Sequence, residues 1–358
     1  MAKKYNFYAG PAILPQEVMK KAQAELLDFN GCGLSILEIS HRSKDFEAVL
    51  DTAEAKIRSL LGVPENYTIL FLQGGASLQF GMIPMNLLKG KKADYVHTGE
   101  WAKKAIKEAK LFGSVNVAGT SEDKNFSYVP ENLKYSPDAQ YVHITSNETI
   151  GGIQWAQFPD TGNIPLICDM SSDIFSRRID VSKFGLIYAG AQKNIGPAGV
   201  TLVIIRKDLL EAGADGLTTM LSYKTHAKEK SMYNTPPCFT IYIIKLVMDW
   251  IEGLGGLAGI EKINNEKAKT IYAAIDNSNG YYKGTAALKD RSKMNVTFRL
   301  PSEVLEEKFI NDAKKAGFIG LKGHRSVGGC RASIYNAMTL EGVSELTKFM
   351  ENFARENK

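Results

Sequence analysis

Cysteine is scarce in this chain. Its four residues, Cys32, Cys168, Cys238 and Cys330, lie far apart among 358 and in no metal-ligand spacing. That argues against a disulfide-stapled scaffold or a thiolate metal site and fits a reducing compartment, so no metal is expected. No apolar run approaches the length of a bilayer crossing, and Met1-Ala-Lys-Lys-Tyr-Asn6 lacks the apolar core of a secretory leader, so the expectation is a cytoplasmic protein. The net charge of +5 is mild, its lysines are spread along the chain, and no nucleic-acid reader motif occurs. Neither nucleic acid nor a membrane is therefore an expected partner. Internal repeats and low-complexity tracts are missing too. What remains is an ordinary globular composition, 44% hydrophobic and 23% charged, in a chain long enough for a large core split over two domains.

Period and punctuation predict the elements. A turn-rich aromatic arm, residues 1–15, precedes a helix from Gln16 to Phe29 closed by Asn30-Gly31. A second helix runs from Lys44 to Leu61 and stops at Gly62, with Phe46, Val49, Leu50, Ala53, Ile57, Leu60 and Leu61 on one face. Strands are predicted at Thr68–Leu72, Ala93–His97, Ser114–Ala118, Gln140–Thr145, Pro165–Asp169, Phe184–Tyr188 and Val200–Ile205. Gly99-Glu100-Trp101 reads as a turn before a helix at Ala102–Phe112. Strands alternating with helices argue an α/β layer with a mostly parallel sheet, whose ligands gather at the carboxyl ends of the strands. A long helix from Phe239 leads to Gly253-Leu-Gly-Gly256, the expected boundary between a large domain, 16–256, and a smaller α+β domain, 257–358, against which the arm should pack.

The stretch Tyr188-Ala-Gly-Ala-Gln-Lys-Asn-Ile-Gly-Pro-Ala-Gly199 places one cation, Lys193, among small residues between two apolar strands. Small residues let a backbone approach a flat ligand, and desolvation lowers an amine's pKa and makes it nucleophilic toward carbonyl carbon. A hairpin tip whose lysine faces water would look the same. Gly74-Gly75-Ala76-Ser77 follows a strand and opens a helix, which suits a phosphate, although any tight strand-to-helix turn favours such residues. It has neither the Walker lysine nor the third glycine of a dinucleotide fingerprint. Asp169 ends a strand and could merely accept from a loop N–H. Paired with Lys193 across one ring, it would supply the second handle of pyridoxal phosphate, and Trp101 could stack on that ring or fill the core.

Eight ordered motifs then carry a resemblance over essentially the whole chain: Asn6-Phe-Tyr-Ala-Gly-Pro-Ala, Ile39-Ser-His-Arg-Ser, Leu72-Gln-Gly-Gly-Ala-Ser, Ser146-Asn-Glu-Thr-Ile-Gly-Gly, Asp169-Met-Ser-Ser-Asp, Ala191-Gln-Lys-Asn, Tyr233-Asn-Thr-Pro-Pro and Gly323-His-Arg-Ser-Val-Gly-Gly-Cys-Arg-Ala-Ser. The chain resembles the phosphoserine aminotransferases among the class V, fold-type I pyridoxal phosphate enzymes. The resemblance implies Lys193 as the lysine that joins the cofactor covalently and moves the substrate's Cα proton, and Asp169 as partner of the pyridine nitrogen. It implies Trp101 stacked on the ring, Gly75 or Ala76 with Ser77 and Gln192 at the phosphate, Thr149 near the ring hydroxyl or the aspartate, and Ser171 supporting Asp169. Asn234 and Thr235 would reach the phosphate from a partner subunit, which makes the expected assembly a homodimer with shared active sites. Many such enzymes have arginine where this chain has Ser77, so one positive charge is missing.

Arginine forks suit substrates anionic at both ends. Two His-Arg pairs occur among only five histidines, His41-Arg42 and His324-Arg325, and Arg331 follows the second. A solvated loop would account for either pair alone. By the resemblance, Arg331 grips the α-carboxylate, and His41, Arg42, His324 and Arg325 receive the distal phosphate or γ-carboxylate. The implied reaction is a ping-pong transamination between glutamate/2-oxoglutarate and 3-phosphohydroxypyruvate/O-phospho-L-serine in serine biosynthesis, with 4-phosphohydroxy-L-threonine of vitamin B6 synthesis a further candidate substrate. A cysteine desulfurase would share fold and cofactor, but no cysteine sits in an obvious exposed loop motif. A non-enzymatic phosphate-binding protein would purify colourless.

Overall fold

The computed structural model describes residues 4–357. Seven strands, β1 (Tyr67–Leu72), β2 (Lys92–His97), β3 (Ser114–Thr120), β4 (Ala139–Thr145), β5 (Leu166–Asp169), β6 (Leu186–Gly190) and β7 (Thr201–Arg206), form one sheet in the order β1-β7-β6-β5-β4-β2-β3. Every neighbouring pair is parallel except those of β7, which runs antiparallel to both β6 and β1. The sheet is thus mostly parallel, as its aliphatic runs imply.

Successive side chains of a strand point to opposite faces, and here both faces are covered. Ile69, Phe71, Cys168, Ile187, Leu202 and Ile204 join one core. In it lie α2 (Lys44–Leu61), following the short α1 (Gln16–Ala24), and a later helix, Cys238–Gly253. Leu70, Leu72, Ile167, Leu186, Tyr188, Val203 and Ile205 join the other, under α3 (Gly75–Leu87) and α4 (Glu100–Ala109). The α2 boundaries follow from its caps: Ser43 accepts from the Phe46 N–H, and Gly62 takes the left-handed conformation at φ 63°. With α5 for Cys238–Gly253, the chain continues through α6 (Gly256–Asp276), β8 (Asn295–Arg299), α7 (Glu303–Lys315), β9 (Cys330–Ser333) and α8 (Leu340–Glu356). A separate core gathers Phe7, Ile271, Phe298, Phe309, Phe318, Leu346 and Phe353. Helix α6 spans both, with Leu257 and Ile260 in the large core and Ala268, Ile271 and Ile275 in the small one. From the arm, Tyr5–Asn6 pairs in parallel with Phe318–Ile319; residues 1–3 lie outside the described ones.

Two expectations need correcting. Helix α1 stops at Ala24, and Phe29–Gly31 is a single 3-10 turn in which Asn30 has φ 52°. Leu27, 84% exposed, has no surface to bury against, so nothing holds a helix there. Trp101 lies in the first turn of α4, after Gly99 at the N-cap, rather than in a turn ahead of the helix.

Candidate active site

The carboxyl ends of β5 and β6 and the amino ends of α3 and α4 converge on one cavity of about 430 Å³. Gly75, Ala76, Ser77, Trp101, Thr149, Asp169, Ser171, Gln192 and Lys193 all line it, together with Thr145, Asn147 and Ser172. Residues separated by more than a hundred positions meet there because the sheet order sets β4, β5 and β6 side by side.

Lys193 sits in the β6–β7 connection, so topologically the hairpin reading is right. Ala198 and Gly199 of the tip are exposed, but the Lys193 side chain turns into the cavity instead of toward water. Its Nζ donates to Thr149 Oγ1 at 2.8 Å and stands 5.5 Å from the centre of the Trp101 ring. Burial pulls the amine down to about 8, against the opposing pull of Asp169, so near neutral pH a useful fraction is the free base. Asp169 is 5% exposed, and its Oδ1 accepts from the Ser171 N–H at 2.9 Å. Ser171 Oγ accepts in turn from the Gly190 N–H at 3.0 Å, locking the β5 end to the β6 end. Burial raises the Asp169 carboxyl above its ordinary range, with hydrogen bonds from Ser171 and the charge of Lys193 opposing that shift.

Helix α3 begins at Gly74, φ 86°, where no side chain caps it, so its first N–H groups are free for an anion. A Cβ on Gly74 would lie 2.5 Å from Leu78 Cδ2, which explains the glycine beyond its φ. The residue after Ala76 at this corner is the uncharged Ser77, and Lys193 is the cation among the described lining residues. An uncapped helix start, a buried carboxylate in the cavity wall, an amine lowered by burial and an indole wall fit a flat ring bearing a ring N–H, an aldehyde and a phosphate arm.

Arg331, on β9, enters from the small core. Its Nη1 donates to Thr149 O at 3.2 Å, and its buried Nε has no partner. His324 is bonded to Ser326 within its own loop, and burial with the charges of Arg331 and Arg325 lowers its pKa. The charges of Lys104 and Glu100 on α4 also act on it. Arg331 lines a second cavity with Gly323, Ser326 and Val327 rather than the one that holds Lys193, and the other expected residues also stand apart from the Lys193 cavity. Asn234 donates to Gln73 Oε1 at 3.1 Å, just before Gly74, and its Oδ1 is buried without a partner. His41 and Thr235 line a separate open groove with Leu37, Pro236 and Phe239, and Arg42 is exposed.

One residue was passed over. Glu148 is buried beneath the α4 start, accepting from the Ala102 N–H and from Thr98 Oγ1, both at 3.3 Å. It does the capping that Gly99 cannot, and a Cβ on Gly99 would come within 2.7 Å of its carboxyl carbon. It thereby orients the helical turn bearing Trp101. Its place in the Ser146–Gly152 motif was the available signal.

The family model for class-V aminotransferases matches residues 4–346. A phosphoserine aminotransferase of Desulfosudis oleivorans is 59% identical over 356 residues, 99% of this chain and 98% of the relative. The structure of phosphoserine aminotransferase from Bacillus circulans subsp. alkalophilus superposes with a TM-score of 0.98 at 54% identity, covering 100% of each chain. That of the PLP-bound enzyme from Trichomonas vaginalis gives 0.93 at 43% identity, covering 98% of this chain and 100% of the other.

Proposed function

The chain belongs to the class-V aminotransferase family, and from that premise we propose how its cavity carries out the transamination. The reaction passes an amino group from glutamate to 3-phosphohydroxypyruvate, yielding 2-oxoglutarate and O-phospho-L-serine, and serves serine biosynthesis. Its cofactor is pyridoxal 5'-phosphate. When bound, that group supplies an aldehyde to take up the amino group and a ring that draws electrons from the substrate's Cα.

The observation that carries the assignment is Lys193 and Asp169 facing one cavity from adjacent strand ends, with an uncapped helix start beside them. In this reading Lys193 would hold the cofactor's aldehyde end and, as a free amine, would take the proton from the substrate's Cα; an amine near 8 can both accept and return it. Asp169, steadied by Ser171, would keep the ring nitrogen protonated. Trp101 would stack on the ring, Gly75 or Ala76 with Ser77 and Gln192 would hold the phosphate, and Thr149, bonded to Lys193, would stand near the ring hydroxyl or the aspartate. Arg331 binds the α-carboxylate, and His324 and Arg325 close over the distal anion.

His41, Arg42, Asn234 and Thr235 act from a second copy of the chain in this reading. The support is their position outside the cavity, beside an apolar groove and the exposed Leu34 and Leu37. The protein would then be a homodimer. The split into 16–256 and 257–358 with the arm belongs to the same proposal, supported by the separate core of the carboxyl-terminal part. A cytoplasmic location accords with four free cysteines, and no helix among the described residues is long and apolar enough to cross a membrane. The same anion-holding groups would accept 4-phosphohydroxy-L-threonine, and steady-state rates with both phospho-amino acids would rank them.

Lys193→Ala should abolish turnover and the absorption of covalently held cofactor. An active variant with the wild-type spectrum would refute the assignment.

A further inference from the structure

Lys267 lies on α6, outside the cavity, and is fully buried at 0% exposure. No carboxylate pairs with it among the described residues; burial alone acts on the amine and draws it down to about 7. Its Nζ donates to three successive backbone carbonyls: Ile334 at 2.9 Å, Tyr335 at 2.7 Å and Asn336 at 3.4 Å. An ammonium has three N–H donors and no acceptor, so these oxygens match it donor for donor. A buried cation without a counter-charge is costly, and an aliphatic side chain would fill this helix position at less expense. A buried amine at this position therefore calls for a reason beyond filling the core.

Those carbonyls follow directly on β9, the strand that bears Arg331. On the cavity side, Arg331 reaches Thr149, the residue bonded to Lys193. Beyond the carbonyls, the Asn336 N–H donates at 3.1 Å to Oδ1 of Asn194, the neighbour of Lys193, and Asn336 Nδ2 donates to Phe175 O at 2.9 Å. Asn264, one turn before Lys267 on α6, bonds Asn336 Oδ1 at 2.9 Å and Ser176 O at 3.0 Å. The segment 331–336 is thus bonded at one end to Thr149, the partner of Lys193, and at the other to Asn194 of the Lys193 loop, with Lys267 bonded between them.

We propose that Lys267 is a positioning residue whose Nζ, through the 334–336 carbonyls, sets where Arg331 stands relative to Lys193. It acts on the grip of the substrate's α-carboxylate and leaves the proton transfer at Cα alone. The inference rests on the role given to Arg331 above.

Lys267→Met keeps most of the side-chain length and removes every donor. In the cofactor-loaded full chain, KM for glutamate should rise roughly tenfold while kcat changes less than about threefold, the pattern of lost uniform binding. In the cofactor-free protein, the amides of residues 331–336 should exchange faster with solvent while those of β5 and β6 keep their protection. Asn336→Ala cuts the chain at its next link, so its effect on KM should fall short of multiplying with that of Lys267→Met. Unchanged KM in both variants, or independent multiplying effects, would overturn the proposal. If Lys267→Met does not fold, Asn336→Ala alone carries the test: a raised glutamate KM supports the latch, and a wild-type KM overturns it. Failure of the transaminase reading looks different, as wild-type protein that neither takes up pyridoxal phosphate nor turns over.

Discussion

Glu148→Gln tests the electrostatics beneath the site. Burial, opposed by the Ala102 N–H and reinforced by the charge of Asp169, pushes the Glu148 carboxyl from 4.5 up to about 7. Between those values the folded protein holds a proton that the unfolded chain has released. Stability is therefore lost as pH rises through this window, and the full cost of the buried carboxylate is present above it. The difference, about 7 minus 4.5, is near 2.5 units, or about 3 kcal/mol at 1.36 kcal/mol per unit, as a ceiling. Glutamine keeps an oxygen for Ala102 and Thr98 and places its amide where Oε2 now lacks a partner, giving back about 1 kcal/mol. The variant should thus be about 2 kcal/mol more stable than wild type at pH 8 and no more stable at pH 5. Urea unfolding of the cofactor-free protein at both pH values measures this. An equal offset at the two, or a variant weaker at pH 8, would refute the reasoning.

The Lys193 amine, held near 8 by burial, should combine with added pyridoxal phosphate in the cofactor-free enzyme at a rate rising with pH and half-maximal near 8; a midpoint above 10 would show an ordinary solvated lysine. Gly152→Ala combines a φ of +74° with a Cβ 2.2 Å from Thr297 Oγ1 and 2.9 Å from Asn295 O. A loss of about 2–4 kcal/mol should follow, read as a lower melting temperature, along with weaker cofactor binding because the same turn carries Thr149.

Much of the site was legible because its chemistry needs particular residue types at strand ends and helix starts. Lys193, Asp169 and Gly74–Ser77 each stand at the junction of an apolar run with a loop of small residues, and all reach one cavity. Lys267 and Glu148 could not be found this way. In the Glu261–Lys269 stretch of α6, Lys267 is indistinguishable by type from Lys262 and Lys269, yet it alone of the three is fully buried. Glu148 acts through Ala102 and Thr98, some fifty positions earlier. Trp101 fell into a helix rather than a turn because the cap comes from another segment, and α1 ended early because Leu27 and Asn30 had nothing to pack against.

Local order along the chain was sufficient for the alternation of strand and helix, the ends of α2, the small-residue loop around Lys193 and the ordered motifs of the family. Those depend on period, capping and backbone freedom, which act over a few residues. Only the tertiary structure decided that β7 turns back antiparallel between β1 and β6, that the Lys193 side chain enters the cavity, and which charged residues are buried. Burial and partner geometry are set by segments distant in the chain, and it is desolvation by those segments that shifts the Lys193 amine and the Glu148 carboxyl toward neutrality.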